Sequence, residues 1–273
     1  MTGFPHAEDR AEPPFVPPGS IVRRIWGDGD VVLLVFAGAA AEFALNRAVD
    51  WLFFTGRIPQ DPLGRLFSTA AYAQQIVLAD QAGAERTLAR IRAVHGAVEG
   101  ARGARIPDWA HRDVLYLLVA YSERAYETLH HPLTVPERED LWAVFRRVGL
   151  GLGIPELPAQ YADWRVDRER HLERDLARGE HTRALYAAYH QHLGPWRYQL
   201  LRQVQGVLVP GHVRELLGLP GKPWVRSLLP LYPAAARLGL RGAVRRALIP
   251  PAHLASVQRL DSAPAYSSSP VSR

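Results

Sequence analysis

Apolar residues recur every three to four positions along almost the whole chain, and this spacing limits the fold more than any other feature. After Asp61, for example, Leu63, Leu66 and Ala70 share one face of a helix. No convincing run of alternating β-branched residues appears, as a half-buried strand would require. The pattern predicts an all-α protein, a single-domain bundle of roughly eight to ten helices.

Several helix boundaries are marked by residues that satisfy free backbone groups. Pro62 stands at a first helical position, where its missing N–H has no helical partner to lose. Thr134 and Glu137 have the spacing of a capping box. Further helices are expected after Gly83, from Pro107 to His130, and over 158–178, 182–193, 198–208 and 224–248.

The two ends of the chain differ in composition from the centre. Residues 1–18 are rich in proline and charge, which predicts a flexible arm. Residues 251–273 include Ser267-Ser268-Ser269 and are predicted to form a mostly disordered tail. Residues 19–250 are expected to form one helical domain, since no long linker or internal repeat divides them.

Composition excludes several classes of function. The chain has 33 Lys+Arg against 27 Asp+Glu, a formal charge of +6, but Lys222 is its only lysine and the arginines are scattered. Since nucleic-acid binders concentrate charge on one face, we expect no nucleic-acid partner. The absence of cysteine excludes disulfides, thiolate metal sites and thiol nucleophiles. With no signal peptide expected in residues 1–19, a cytoplasmic location is predicted.

One basic amphipathic segment raises the question of a membrane. The longest apolar run, Val31–Ala41, is too short to span a bilayer, which takes about 20 residues. Val225–Ile249 alternates leucines with arginines, as does a helix lying on an anionic membrane surface. We favour the simpler interpretation, a terminal helix pair packed on the core with its arginines outward.

Two histidine patterns have both a structural and a functional interpretation. His95 lies in an apolar stripe between Ile91 and Val98, which favours a neutral core histidine over a functional one. Asp167, His171 and Asp175 repeat at i, i+4 and i+8, a spacing able to hold a hard metal ion. Arginines surround them, so ion pairs along a solvated helix are the preferred interpretation.

An ordered set of short motifs runs along the chain over about residues 19–249. Its most specific block is Asp61-Pro-Leu-Gly-Arg65-Leu, followed by Thr69. The other landmarks, in chain order, are Gly19–Asp28, Arg92–His95, Ala125–Glu127 with Pro132–Thr134, Gly153–Pro155, Leu208–Pro210 and Leu217–Pro220. Taken together, these motifs resemble one family, the rubber oxygenases (latex-clearing proteins) and MpaB-type oxygenases.

The resemblance implies an all-helical fold around a b-type haem and cleavage of a carbon–carbon double bond in an apolar substrate by O₂. It implies an iron-ligating histidine in the helix at 111–130, with Arg65 and Thr69 near the haem on the opposite side. An apolar pocket suits both porphyrin and hydrocarbon, so a hydrophobic small molecule is the expected substrate.

The chain departs from the family at the ligand helix, where the usual Trp-Val-His-Ala-Thr-Leu aligns with Val114–Val119, which contains no histidine. Similarly, the family's Ala-His-Pro appears as Ala44-Leu45-Asn46, and a lysine of the rubber-cleaving branch falls at Ser68. Three outcomes stay open: Tyr116 ligates the haem iron as a phenolate, His111 ligates it from about 7 Å earlier on the helix, or no haem binds.

A haem-free member of the family would use its hydrophobic pocket for non-oxidative conversion or binding of a small molecule. Buried carboxylates with raised pKa values would then move protons. Glu123 is the candidate catalytic residue beside Arg65 and Thr69. The other polar candidates, if they face inward, are Glu42, Arg47, Asp50 and Tyr121.

Overall fold

The computed structural model describes residues 12–56 and 60–261, and in these ranges the chain forms helices and no strands. Ten of the helices have seven or more residues, which confirms the predicted all-α fold. The α-helices are α1 Ile21–Trp26, α2 Gly29–Phe43, α3 Asp50–Phe54, α4 Pro62–Leu78, α5 Gln81–Arg102, α6 Asp108–Leu129, α7 Val135–Gly151, α8 Tyr161–Asp175, α9 Glu180–Leu208, α10 Gly211–Leu217, α11 Tyr232–Arg237, α12 Arg241–Leu248 and α13 Leu254–Asp261. Short 3₁₀ turns occupy Trp224–Ser227, Leu229–Leu231 and Pro251–His253.

The helix starts marked in the sequence form as predicted. Asp61 caps α4 by accepting a hydrogen bond from the backbone N–H of Gly64 at 2.8 Å. The capping box of α7 is complete, with Thr134 and Glu137 each bonded to the other's backbone N–H. The start of α5 differs by three residues, because the helix begins at Gln81, capped by Asp80, rather than after Gly83.

The centre of the bundle is the crossing of α2 and α6. α2 is buried along most of its length and packs closely on α6. At the crossing Gly38 lies against the ring of Tyr121, and a β-carbon at position 38 would overlap that ring. Glycine is required here because the buried Tyr121 ring fills the space that any side chain at position 38 would occupy.

The predicted helices at 182–193 and 198–208 are the two halves of α9, which bends sharply at Gly194. This residue has φ 73° and ψ 168°, far from helical values. Positive φ is easily adopted only by glycine, and Pro195 follows it without needing the helical N–H. The rings of Tyr186 and Tyr198 therefore come within 6.4 Å, although twelve residues of straight helix would separate them by about 18 Å.

The folded domain extends beyond the predicted limits of 19 and 250. Phe15 and Val16 are buried in the core, so the part of the predicted arm that is described is held by apolar contacts. At the other end α13 buries Val257 and Leu260, which corrects the predicted start of the tail at 251. Residues 1–11 and 262–273, the rest of the predicted arm and tail, lie outside the described residues.

The predicted helix over 224–248 is broken into two 3₁₀ turns and the short helices α11 and α12. Pro230, Pro233 and Gly239, whose φ is 77°, interrupt the hydrogen-bonding pattern that one continuous helix would need. Several leucines of this segment are exposed, among them Leu231 and Leu238. Over the described ranges, no helix combines the length and the apolar character that crossing a membrane requires.

Candidate active site

A cavity of about 350 Å³ lies between α2, α3, α4, α5, α6, α7 and α9. Its walls are mostly apolar, because each of these helices turns leucine, valine, isoleucine, alanine or aromatic side chains towards it. The volume falls in the range of small-molecule sites, about 300–1,000 Å³. The cavity therefore suits a hydrophobic ligand, with specificity set by the few polar groups on its wall.

Arg65 and Thr69 are two of these polar groups, one turn apart on α4. The hydroxyl of Thr69 donates to the carbonyl oxygen of Arg65 at 3.1 Å, so its oxygen stays available as an acceptor. Arg65 forms no ion pair with any carboxylate among the described residues. Its guanidinium is thus a positive charge on an apolar wall, ready to meet an anionic or polar group of a ligand.

His95 on α5 and His111 on α6 face the same cavity, with ring centroids 4.8 Å apart and planes inclined by 34°. Burial, and next the neighbouring His111 ring, lower the pKa of His95 to about 4, although Glu99 opposes the shift. Burial also lowers the pKa of His111, against the carboxylates of Glu99 and Asp108. Both imidazoles are therefore neutral near pH 7, the form that ligates a metal.

His95 was expected to be a core histidine, and the structure corrects this. It is only partly buried and lines a cavity rather than close-packed core. Periodicity places a residue on the inward face of a helix but does not distinguish filled from empty space behind it.

The structure does not bring Tyr116 to the cavity. Its buried ring packs edge-on against Trp142 and Trp164, and its hydroxyl donates to Oδ2 of Asp167 at 2.7 Å. Burial and, next, that carboxylate raise the pKa of the Tyr116 phenol. The phenol is thus held protonated away from the cavity, and this arrangement does not support the predicted phenolate ligand.

The position of His111 also changes the register of the ligand motif. Trp109-Ala110-His111 reproduces the Trp and the His of Trp-Val-His five residues before the segment with which that motif was aligned. The signal was present in the sequence, in the tryptophan two residues before His111. Ser68, by contrast, is exposed, and its hydroxyl donates to the Arg65 carbonyl oxygen.

Glu123 lies outside the cavity, in an ion-pair network with Arg138. It also accepts a hydrogen bond from the hydroxyl of Tyr161 at 2.9 Å. Burial raises the pKa of Glu123, although Tyr161 and Arg138 oppose the shift. Its contacts link α6, α7 and α8 and do not join it to Arg65 and Thr69, as the sequence-based hypothesis required.

The other proposed polar groups are not aimed into the cavity either. Glu42 is buried and paired with Arg168, and it accepts a hydrogen bond from the hydroxyl of Tyr121 at 3.0 Å. Asp50 pairs with Arg102 at 2.6 Å. Arg47 is exposed. These groups form ion pairs or face solvent.

A second buried network surrounds His171. Nδ1 of His171 contacts carboxylate oxygens of both Asp113 and Asp175, the latter at 2.9 Å. Asp113 also accepts a hydrogen bond at 2.8 Å from the side-chain amide of Asn46, which lines the cavity. Arg174 pairs with Asp175 at 2.7 Å. The donor atoms have the spacing of a metal site, but they already satisfy one another as ion pairs and hydrogen bonds.

The network partly corrects the expectation of ion pairs on a solvated helix. Asp167 does pair with exposed Arg170, at 3.7 Å. His171 and Asp175, however, are buried, and Asp113 from α6 joins them across the helix interface. The contact between α6 and α8 was not visible in the spacing along one helix.

Comparison with known proteins supports the resemblance inferred from the motifs. Residues 23–246 match the family described as ER-bound oxygenase mpaB/B' and rubber oxygenase, catalytic domain. No curated protein matches the chain significantly. The family match covers well over half of the 273 residues and includes every residue of the cavity wall. The chain therefore belongs to the mpaB and rubber oxygenase family of catalytic domains.

Proposed function

We propose that this protein is an oxygenase that holds haem b in the apolar cavity and acts with O₂ on an apolar, alkene-containing small molecule. The observation that carries the proposal is the position of His111, a neutral imidazole facing an apolar cavity that also presents Arg65 and Thr69. The family match supports oxygenase chemistry of this kind.

The residues of the cavity fit a haem by the chemistry of their donors. A neutral imidazole is the usual protein ligand of haem iron, and burial keeps His111 in that form. Arg65 offers a cation suited to a propionate, and the remaining wall is apolar. When bound, the haem would supply the activation of O₂ that cleavage of a carbon–carbon double bond requires.

The chain itself would contribute positioning and exclusion of water. His111 would hold the cofactor from α6. Burial and, next, the neighbouring His111 ring lower the pKa of His95, so the two imidazoles add no positive charge to the cavity near pH 7. The leucine, valine and phenylalanine side chains of the wall would orient a hydrocarbon by contact and keep water out. Thr69 would offer its hydroxyl oxygen as an acceptor near Arg65.

The haem-free alternative rested on the lack of a histidine in Val114–Val119. His111 provides an imidazole on the same helix and in the cavity, so that motivation weakens. Binding or conversion of a hydrophobic molecule without haem is therefore the outcome that a negative haem test would favour. A hydrophobic substrate, no nucleic-acid partner and a cytoplasmic location stay predictions, and so does the preference against association with a membrane surface.

The test is haem binding measured by absorption, independent of turnover. Protein produced with a haem precursor, or titrated with haemin, should show a Soret band. His111→Ala should lose or shift that band, and Tyr116→Phe should keep it. Circular dichroism would confirm that each variant is folded.

Two results would overturn the proposal. One is a wild-type protein with no Soret band even after haemin is added. The other is a folded His111→Ala variant whose spectrum matches that of wild type. For a protein that does bind haem, carbonyl products formed from an apolar polyene under O₂ would then establish the reaction.

A further inference from the structure

A second pocket, of about 180 Å³, lies where α9 folds back on itself at Gly194. The first half of α9 and the residues before it provide Arg178, Thr182, Arg183 and Tyr186. The second half provides Tyr198 and Arg202, and α10 adds Leu217. The sharp bend thus brings side chains that are far apart along the chain to one concave surface.

The pocket collects positive charge, and no carboxylate of residues 12–56 or 60–261 pairs with it. Three of its seven lining residues are arginines and none is a carboxylate. Glu180, next to them in sequence, is exposed and is not part of the lining. Within the described part of the chain, Arg178, Arg183 and Arg202 form no ion pair, whereas Arg102, Arg138 and Arg168 are all paired with carboxylates. Three like charges around one concavity repel one another, and an anion bound between them would offset that repulsion.

Hydroxyl donors accompany the guanidinium groups. Thr182 is buried, and its Oγ1 accepts a hydrogen bond from the Gly179 N–H at 3.0 Å, which leaves its own O–H to donate. The hydroxyl of Tyr186 donates a hydrogen bond to Oε1 of Gln205 at 2.9 Å, whereas Tyr198 offers a second hydroxyl on the pocket wall. The pocket also adjoins the N-terminus of the long helix α9, the positive end of its dipole.

We propose that this pocket binds a phosphate group, carried either by a small soluble molecule or by a lipid headgroup. A phosphate has a charge of about −1.5 to −2 near pH 7 and several strong acceptor oxygens, which match several guanidinium forks better than a single carboxylate would. The proposal is independent of the oxygenase function, because none of the residues of this pocket lines the apolar cavity.

The decisive variant is Arg178→Gln/Arg183→Gln. Both arginines are exposed and form no ion pair with any residue that the structure describes, so their replacement should leave the fold intact. Arg202 is a poorer choice because it donates to the carbonyl oxygen of Gly218 at 2.7 Å. Arg90→Gln, at an exposed arginine of α5 without an ion pair among the described residues, controls for loss of a surface charge away from the pocket, although it removes one charge where the double variant removes two.

Binding of inorganic phosphate would be measured by calorimetry at constant ionic strength, and vesicles of phosphatidylcholine with and without phosphatidic acid would be tested by co-sedimentation. In wild type and Arg90→Gln we expect binding to inorganic phosphate or to vesicles containing phosphatidic acid. The double variant should weaken it by about tenfold or more. Binding to inorganic phosphate identifies a soluble source, and binding to the acidic vesicles alone identifies a lipid headgroup.

Three results would overturn the assignment. The first is no binding of either probe by wild type. The second is equal binding by the double variant and Arg90→Gln, since a general charge effect would explain it. The third is displacement of phosphate by succinate at equal concentration, because the pocket would then be selective for no particular anion.

Discussion

Polar groups have opposite surroundings in the apolar cavity and in the network formed by Glu42, Arg168 and Tyr121. In the network, the charged groups of Glu42 and Arg168 are buried and paired, with the hydroxyl of Tyr121 completing the hydrogen bonds. On the cavity wall, Arg65 has no paired carboxylate among the described residues, and His95 lies beside a second histidine that disfavours its protonation.

The difference separates structural from functional polarity. A buried charge whose partner is fixed stabilises one arrangement of helices, here α2 with α8, and has no capacity left for a ligand. A polar group that the fold leaves unpaired on an apolar wall gains its partner only when something binds. The sequence alone does not show which polar residues have a fixed partner. It therefore offers both Glu42 and Arg65 as candidates for chemistry.

The largest expected effect follows from breaking the network. Glu42→Ala leaves the Arg168 guanidinium buried without its carboxylate, which should lower the free energy of unfolding by about 3–5 kcal/mol. Urea denaturation would measure it. Removing Glu156, 82 % exposed and paired with Arg112 at 3.3 Å, should lower the free energy by only about 0–1 kcal/mol.

A double replacement sharpens this test. Glu42→Leu with Arg168→Met removes both charges and should be more stable than Glu42→Ala, because an apolar pair needs no charged partner. If Glu42→Ala is as stable as Glu156→Ala, the ion pair between Glu42 and Arg168 does not stabilise the packing of α2 on α8.

The next effect concerns pH and the cavity wall. The pKa of His95 is about 4 in the folded protein and ordinarily 6.5, so below pH 6.5 the unfolded chain takes up the proton first. Wild type should therefore lose stability as the pH falls from 6.5 to about 4. His95→Leu should lose less, with a difference on the order of 2 kcal/mol at the acid end.

Urea denaturation of both proteins from neutral pH to about pH 4 would show this difference. The slope of the unfolding free energy against pH is compared between the two proteins. A packing effect of the substitution that is the same at every pH does not change that slope. Parallel curves for wild type and His95→Leu would mean that His95 titrates as it does in water and is not desolvated by the cavity.

Local signals predicted much of the fold. Asp61 before Pro62 and the Thr134–Glu137 capping box each act within a few residues, so the sequence alone located the starts of α4 and α7. The single helix predicted over 224–248 is wrong because amphipathic spacing continues across the two prolines and the glycine that interrupt the backbone hydrogen bonds.

The site was harder to predict because its contacts are long-range. Glu42 and Arg168 are 126 residues apart in sequence, and nothing in either neighbourhood specifies the other. Tyr116 and His111 lie on the same helix, and which of them faces the cavity depends on how α6 packs against α2 and α8. Only the Trp109-Ala110-His111 pattern offered a local clue, in a register that the alignment did not use.

Tyr116→Phe tests whether the phenol is structural. It removes the hydrogen bond to Asp167 and should lower the free energy of unfolding by about 1 kcal/mol. Since the ring lies outside the cavity, haemin binding should not change. A Soret band lost in this variant while circular dichroism stays native would restore Tyr116 as a ligand and remove the distinction between network and cavity wall.

The smallest effect on stability is expected at Arg65, and it is the most informative. Because Arg65 forms no ion pair in the described chain, Arg65→Met should change the free energy of unfolding by no more than about 0.5 kcal/mol. Arg168→Met, which strands buried Glu42, should lower it by about 3–5 kcal/mol. Affinity for haemin should respond in the opposite order, falling about tenfold in Arg65→Met because a propionate loses its cation. Exposed Arg90→Met controls for the loss of one charge and should change neither quantity. An Arg65→Met protein that unfolds as easily as Arg168→Met would show that Arg65 stabilises the fold. Removing a side chain that has no ion pair in the ligand-free protein should break no strong interaction.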